Sequence, residues 1–169
     1  MIIVMQIITV LVNIYISFTE NTKRLYIAIF LLNFAQLIMY WFNSDLTTTL
    51  IYIMITVRSI LCIYKSKFKT DLIPYSIINI QLIIGYFTIK ETLQIIPVIM
   101  ACYATWYLWF YTDTQKIRIG NIIANTTWAF YNAYTGLYIA IIMRAMAVAS
   151  NVIAYVKRKQ ELLRETVKI

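Results

Sequence analysis

The sequence predicts an all-α transmembrane protein, a seven-helix bundle built from two parallel three-helix repeats joined by a fourth helix. Hydrophobic residues make up 62% of the 169 residues and charged residues only 13%, whereas soluble domains carry about a quarter charged residues. Charged and polar clusters divide the chain into apolar runs of membrane-spanning length. The first three and last three runs correspond in length and in the charge of their connections.

Each apolar run has about 18–20 residues, which at about 1.5 Å per residue crosses a hydrocarbon core of about 30 Å. Backbone groups inside a bilayer must find partners within the segment, so we expect every run to be a helix. The first run has no basic residues before it and no small-residue cleavage site, so it is expected to be a retained span rather than a signal peptide. The predicted spans are 1–18, 25–42, 46–64, 72–89, 93–111, 117–134 and 137–156.

Basic residues predict the orientation, because cytoplasmic loops carry an excess of lysine and arginine. With the N-terminus outside, Lys90 lies in an outer connection, and Arg58 and Arg144 lie within spans. The other twelve of the 15 basic residues (15 minus these three) lie inside: Lys23, Arg24, Lys65, Lys67, Lys69, Lys116, Arg118, Lys157, Arg158, Lys159, Arg164 and Lys168. We therefore expect an N-out/C-in topology. The net charge of +8 is explained by this topology and not by nucleic-acid binding.

The chain resembles itself at an offset of 92 residues. At this offset Tyr15 meets Tyr107, Phe18 meets Phe110, Thr22 meets Thr114, Asn33 meets Asn125 and Lys65 meets Lys157. Parallel repeats of this kind recur in transporters, where substrate sites lie between the halves near mid-membrane. The predicted organisation is one membrane domain, 1–169, with repeat one at 1–65, a linker span at 66–92, repeat two at 93–157 and a short basic tail at 158–169.

Five short phrases stand out: IIPVI at 95–99, TWYL at 105–108, KIR at 116–118, WAFYNAYTG at 128–136 and ITVRSILCIYK at 55–65. Together they resemble the YgjV-type family of bacterial inner membrane proteins. The resemblance implies a multi-pass protein of the bacterial inner membrane. That family is similar in plan to the SWEET, PQ-loop and PnuC group of small-solute carriers, which also use three-helix repeats. The PQ dipeptide itself is absent here, because Ile96 precedes Pro97 and Val98 follows it.

Polar residues inside the apolar runs form the candidate site. The stretch 121–132 places three amides and Trp128 on one face of the sixth span, and 33–40 places polar residues on the corresponding face of the second. A tryptophan among amides offers a stacking wall suited to sugars, nucleosides or vitamin-like rings. The candidate binding residues are Asn33, Gln36, Tyr40, Arg58, Asn125, Trp128, Asn132, Arg144 and Asn151.

The two arginines within spans have alternative interpretations. An arginine at a helix centre costs about 2.5–3.5 kcal/mol on insertion scales, so it usually faces protein or water. Both side chains lie near enough to span ends to extend to the membrane surface instead. If either faces a cavity, an anionic or carbonyl-rich solute is expected.

The leading interpretation is a facilitator of a small polar solute, with the lipid bilayer as the other partner and a homo-oligomer left open. The rival is a non-transporting structural or interaction component that uses the same amides to pack helices, since interhelical amides stabilise membrane bundles. The chain has no histidine and no carboxylate inside any predicted span. We therefore expect no enzyme activity, no catalytic residue, no metal site and no cofactor.

Overall fold

Seven α-helices and two short 3-10 helices make up the secondary structure of the described residues. The computed structural model describes residues 2–42, 46–68 and 70–166; Asp45, Lys69 and Lys168 lie outside them. The α-helices are α1 (Ile2–Phe18), α2 (Thr22–Phe42), α3 (Leu46–Ile63), α4 (Leu72–Thr88), α5 (Ile95–Phe110), α6 (Thr114–Tyr134) and α7 (Tyr138–Thr166). These described ranges contain no strand, so the all-helical prediction is confirmed.

Helix ends follow the few residues that interrupt or cap helices. Pro74 and Pro97 lie in the first turns of α4 and α5, where a missing backbone N–H costs least. Asn21 and Asp113 cap α2 and α6, because their side-chain oxygens accept backbone N–H bonds at 3.1 and 2.9 Å. Gly136 adopts a φ of 73° in the turn between α6 and α7, a conformation that glycine adopts readily.

Helix α7 is longer than the run that predicted it. It has 29 residues, about 44 Å at the usual rise, and therefore exceeds a hydrocarbon core of about 30 Å. Its final turns carry charged side chains, and Arg158 pairs with Glu20 and Glu161 at 3.7 and 3.3 Å. The predicted basic tail thus begins as a continuation of the last helix.

Six helices form a ring, in which neighbours are α1–α2, α2–α3, α3–α5, α5–α6, α6–α7 and α7–α1. Helix α4 packs against α3 and α5 at the outside of the ring. Its buried residues form one narrow stripe, Pro74, Ile77, Gln81 and Gly85. A Cβ atom on Gly85 would lie 2.9 Å from the Val98 side chain, so glycine allows α4 to approach α5 closely.

The two ends of the bundle differ in charge. At one end of the bundle, helices α1, α3 and α5 finish and helices α2 and α6 begin, and hydrogen bonds join these helix ends to one another. We call this end the basic end. There Lys65 donates to the carbonyl oxygens of Leu108, Trp109 and Tyr111 at 3.0–3.3 Å, and so satisfies the end of α5. Lys90 lies at the opposite end, where Thr47 donates to the Thr88 carbonyl at 2.8 Å.

Several helices have the length and composition of membrane spans. Four stretches of the described chain are long and apolar enough to cross a membrane: Thr22–Phe42, Leu46–Ile63, Thr92–Phe110 and Ala140–Glu161. Ile7–Phe18 and Leu72–Thr88 are apolar but shorter. Large apolar side chains such as Phe130 and Ile142 are 72% and 61% exposed on the outside of the bundle. The surface is therefore apolar where a soluble protein would be polar.

Candidate functional site

A polar cavity of about 60 Å³ lies inside the ring of six helices. Since one water takes up about 30 Å³ in the liquid, the space holds about two water molecules at that density. Apolar side chains near the basic end, including Ile16, Ile29 and Leu108, also line it. Its polar and aromatic lining comes from Asn13, Asn33, Gln36, Tyr52, Arg58, Tyr107, Asn121, Asn125, Trp128 and Arg144.

Arg144 is the centre of the hydrogen-bond network at this cavity. Its guanidinium donates to Asn125 Oδ1 at 2.9 Å, to Gln36 Oε1 at 3.0 Å and to the Tyr52 hydroxyl at 2.9 Å. The side chain is 7% exposed, so it does not extend to the membrane surface. One cation therefore ties α7 to α2, α3 and α6.

Tyr52 connects the two sides of this network. Its hydroxyl accepts from Arg144 and donates to Gln36 Oε1 at 2.7 Å. It thus uses both its donor and its acceptor capacity. The side chain is 2% exposed, so its position is fixed by packing as well as by hydrogen bonds.

Four rings, which we call the aromatic cluster, lie at the side of the cavity away from the basic end: Tyr40, Tyr52, Trp128 and Tyr131. Tyr40 and Tyr52 stack with ring centroids 4.7 Å apart, and Trp128 lies 5.4 Å from Tyr52 and 5.8 Å from Tyr131. The Arg144 guanidinium carbon lies 5.4 Å from the Trp128 ring centroid, within cation–π range. Trp128 therefore packs the cluster and faces the cation.

Arg58 is the second cation of the cavity, and its hydrogen bonds are weak. It is 2% exposed, and its Nη1 donates to Ala101 O at 3.4 Å and Thr105 Oγ1 at 3.5 Å. These distances exceed the usual 2.7–3.2 Å range. Its Nε has no hydrogen-bond partner among the described residues. Arg58 is therefore buried and incompletely satisfied, and it does not extend to the membrane surface.

The predicted site residues divide into three groups. Six of them line the cavity: Asn33, Gln36, Arg58, Asn125, Trp128 and Arg144. Tyr40 and Asn132 instead pair with each other, with the tyrosine hydroxyl donating to the amide oxygen at 3.1 Å. Asn151 donates to the Ala147 carbonyl of its own helix at 2.8 Å and does not line the cavity.

Three lining residues, Tyr52, Asn13 and Tyr107, are not among the residues that the sequence predicts for the site. Tyr52 stands 92 residues before Arg144 and Asn13 stands 92 residues before Thr105. The repeat offset could therefore have pointed to Tyr52 from the arginine already singled out. Tyr107 was noted only as a repeat match, although its hydroxyl donates to Asn121 Oδ1 at 2.7 Å.

Comparison with known families gives the chain its classification. The model of the family Imp-YgjV, described as bacterial inner membrane protein, matches residues 1–161. The chain belongs to the Imp-YgjV family. Comparisons with curated proteins and with solved structures gave no match. This Imp-YgjV protein is accordingly a multi-pass protein of the bacterial inner membrane.

The chemistry available to this Imp-YgjV protein at the cavity is hydrogen bonding, ring stacking and positive charge. None of the lining residues is an aspartate or a glutamate. Across the described residues, no group of three or more histidine, cysteine, aspartate and glutamate side chains could hold a metal ion. The arrangement can bind and orient a polar or anionic molecule.

Proposed function

We propose that this protein is a facilitator-type transporter of a small polar solute. The supporting observation is the cavity inside the ring of six helices, lined by Arg58, Arg144 and the amides of three helices. Buried polar groups are costly in a membrane unless they are paired or serve a solute. A cavity with unsatisfied donors is typical of a binding site, whereas pure helix packing would leave a dry interface.

The six-helix ring is proposed to consist of two parallel three-helix units. Helices α2 and α6 have 21 residues each, and their first and last residues both differ by 92 positions. The end of α1 and the end of α5 differ by 92, as do the starts of α3 and α7. The ring contacts of α1, α2 and α3 correspond to those of α5, α6 and α7. This agreement supports the 3+1+3 plan, with α4 as the linker.

Contacts between equivalent residues support a site on the axis between these units. Two side chains related by a two-fold rotation can touch only if both lie beside the axis. Tyr40 contacts Asn132, and Tyr52 contacts Arg144; each pair is separated by 92 residues. These contacts support a polar network between the two proposed units, the position at which parallel-repeat transporters bind their substrates.

Passage of a solute through the bundle requires a path past the aromatic cluster on one side of the cavity and past the contacts at the basic end on the other. Near the basic end, Arg118 Nε donates to the Ser17 carbonyl at 3.0 Å, and the Tyr26 hydroxyl donates to the Leu108 carbonyl at 3.1 Å. These bonds join α6 to α1 and α2 to α5. We propose that they break and re-form as the two units move.

The volume of the cavity favours small solutes over larger ring-shaped ones. Sites for drug-sized molecules usually have about 300–1,000 Å³, whereas this one has about 60 Å³. In this arrangement the cavity does not enclose a sugar, a nucleoside or a vitamin-like ring. We therefore favour a solute of few non-hydrogen atoms over those suggested by Trp128 alone.

A non-transporting structural or interaction component is the second candidate. It is favoured by polar side chains that pair directly across helices, such as Asn33 Nδ2 with Ser59 Oγ at 2.9 Å and Tyr40 with Asn132. Such bonds stabilise membrane bundles by roughly 0.6–2 kcal/mol each. Under this alternative the cavity is only an imperfection of packing.

Reconstituted vesicles distinguish the two candidates. We expect purified protein to accelerate vesicle swelling with a panel of small solutes (urea, formamide, glycerol and the potassium salts of small anions with a potassium ionophore). Gln36→Ala should change this flux, because Gln36 lines the cavity, whereas Asn151→Ala should not, because this equally buried amide lies elsewhere. Wild-type vesicles indistinguishable from empty ones across the panel, with both variants losing only thermal stability, would favour the structural role.

A further inference from the structure

Two buried arginines line one small cavity that contains no negative charge. We propose that this cavity binds a small oxyanion, of carboxylate or nitrate size, between the guanidinium groups of Arg144 and Arg58. The inference deepens the proposed function and rests on it for the role of the anion as the transported solute.

The first argument is charge. Buried charges in proteins are normally paired, yet the partners of Arg144 are two amides and a hydroxyl, and those of Arg58 are a carbonyl and a hydroxyl. The third buried arginine behaves differently. Arg118 is within electrostatic reach of Glu20, Asp113 and Glu161. The cavity thus concentrates two unneutralised cations, and an anion is the ligand that would neutralise them.

The second argument is the count of donors. An arginine presents five N–H groups, and the three bonds of Arg144 to described residues leave two of them free. Arg58 makes only two long bonds to described residues, both from Nη1, and its Nη2 makes none within the described chain. Buried donors are rarely left without partners. Free N–H groups on two planar forks match the paired oxygens of a carboxylate or nitrate.

The third argument is size and shape. About 60 Å³ accommodates an ion of three or four non-hydrogen atoms in place of about two waters. The Trp128 ring lies against the Arg144 guanidinium and helps to hold this cation at the cavity wall. The lining residues contain no acidic side chain that would repel the ion.

A binding experiment tests the site without relying on transport. Thermal unfolding of the purified protein is followed in sodium formate, nitrate or chloride, each compared with sodium gluconate at equal ionic strength. We expect formate and nitrate to raise the melting temperature saturably, because a ligand that binds only the folded state stabilises it. No anion-dependent shift, or a chloride shift as large as that of formate, would overturn the oxyanion proposal.

Variants locate the site. Arg144→Gln and Arg58→Gln should each weaken formate binding at least about tenfold, because a charge-assisted bond is replaced by a neutral one. Arg158→Gln is the control, since Arg158 pairs with Glu20 and Glu161 and lies outside the cavity, and it should stay within about twofold of wild type. Arg144→Lys keeps the charge, so it should fold if Arg144→Gln does not, with intermediate affinity. Equal weakening in all variants would contradict the proposal.

Flux measurements separate this proposal from the transport proposal. Vesicle swelling is compared in urea and in potassium formate with a potassium ionophore. Formate flux that is lost in Arg58→Gln supports both proposals. If urea crosses the membrane but formate neither binds nor crosses, the transport proposal is supported and the oxyanion proposal is overturned. Formate binding without any solute flux supports the anion site and overturns transport.

Discussion

Trp128 illustrates how one side chain serves two purposes. It is 5% exposed, contacts three tyrosine rings and faces the Arg144 guanidinium. A substitution there changes packing and charge recognition together, so a flux measurement on a severely truncated variant cannot be interpreted alone.

We expect Trp128→Ala to lower both flux and thermal stability. Such truncations cost about 3–5 kcal/mol in soluble cores, and the packing part of this loss persists in a membrane. Trp128→Phe retains a ring and should fold while reducing flux. Melting temperature and vesicle swelling measured side by side check both statements. Wild-type flux in folded Trp128→Phe would show that the indole is not part of the solute path.

Tyr52→Phe removes a single oxygen from the cavity network. We expect a loss of about 1–2 kcal/mol, because the Gln36 oxygen loses one donor and Arg144 loses one acceptor while the ring stays in place. Tyr103→Phe is the control, since the Tyr103 hydroxyl makes no hydrogen bond to the described residues. Unfolding in mixed micelles gives both values, and equal losses would contradict the assigned role of the Tyr52 hydroxyl.

At the scale of elements, the C-terminal end of α5 is capped by a residue from a different part of the chain, the segment that follows α3. The Lys65 ammonium donates to three carbonyl oxygens of 108–111 and lies 5.1 Å from the Tyr26 ring centroid. The last carbonyls of a helix have no partner within it, so this lysine takes the place of a C-terminal cap.

Lys65→Met should therefore destabilise the protein by about 1–3 kcal/mol, since three carbonyls lose a charged donor. Lys67→Met provides the control: the Lys67 side chain is exposed and its one contact among the described residues is with the Tyr64 ring, so the loss of stability should be within about 0.5 kcal/mol. The melting temperatures of the two variants test the difference.

Helix α6 packs against α5 through a glycine. A Cβ atom on Gly120 would lie 2.8 Å from the Tyr107 ring, whose hydroxyl is held by Asn121. Gly120→Ala should displace this ring from the cavity wall and cost about 1–3 kcal/mol. Thr126→Ala, at an exposed position of the same helix, should cost less than about 0.5 kcal/mol. Comparable melting temperatures would show that the helices separate without penalty.

For the whole molecule, the unequal charge of the two ends predicts orientation. Lys23, Lys65, Lys116 and Arg158 lie at the basic end, and Lys90 lies at the other. We expect the basic end, and with it the C-terminus, to face the cytoplasm. A fluorescent protein fused after residue 169 should be bright, and a periplasmic phosphatase reporter there should be inactive. The reverse pair of results would invert the topology.

Much of the architecture could be predicted because a chain that crosses a lipid bilayer must pair its backbone hydrogen-bonding groups internally. Apolar runs of sufficient length must be helices, so α1 to α7 coincide with the runs to within a few residues at most ends. The polar faces of α2 and α6 were also predictable, because Asn33, Gln36, Asn125 and Trp128 follow the helical period.

The details of the site could not be predicted, because they depend on distances between side chains of different helices, which a sequence pattern does not contain. Whether Asn132 faces a cavity or a neighbour depends on Tyr40, which reaches it from another helix. The volume of about 60 Å³ is what remains after every side chain is packed, so Trp128 suggested larger ring-shaped solutes than this volume holds. By residue type alone, nothing distinguishes Tyr52 from other aromatic residues in apolar runs. Its role follows from the position of its hydroxyl between Gln36 and Arg144, which only the structure gives.

The contact between Tyr52 and Arg144 is one that a dimer of two identical three-helix chains could not form. In a dimer of two identical three-helix chains with this arrangement, each residue beside the dyad would face its own copy. An arginine there would meet a second arginine at hydrogen-bond distance, where like charges repel. Under the proposed two-unit plan, encoding both units in one gene lifts that restriction, because a cation on one unit can then oppose a tyrosine on the other.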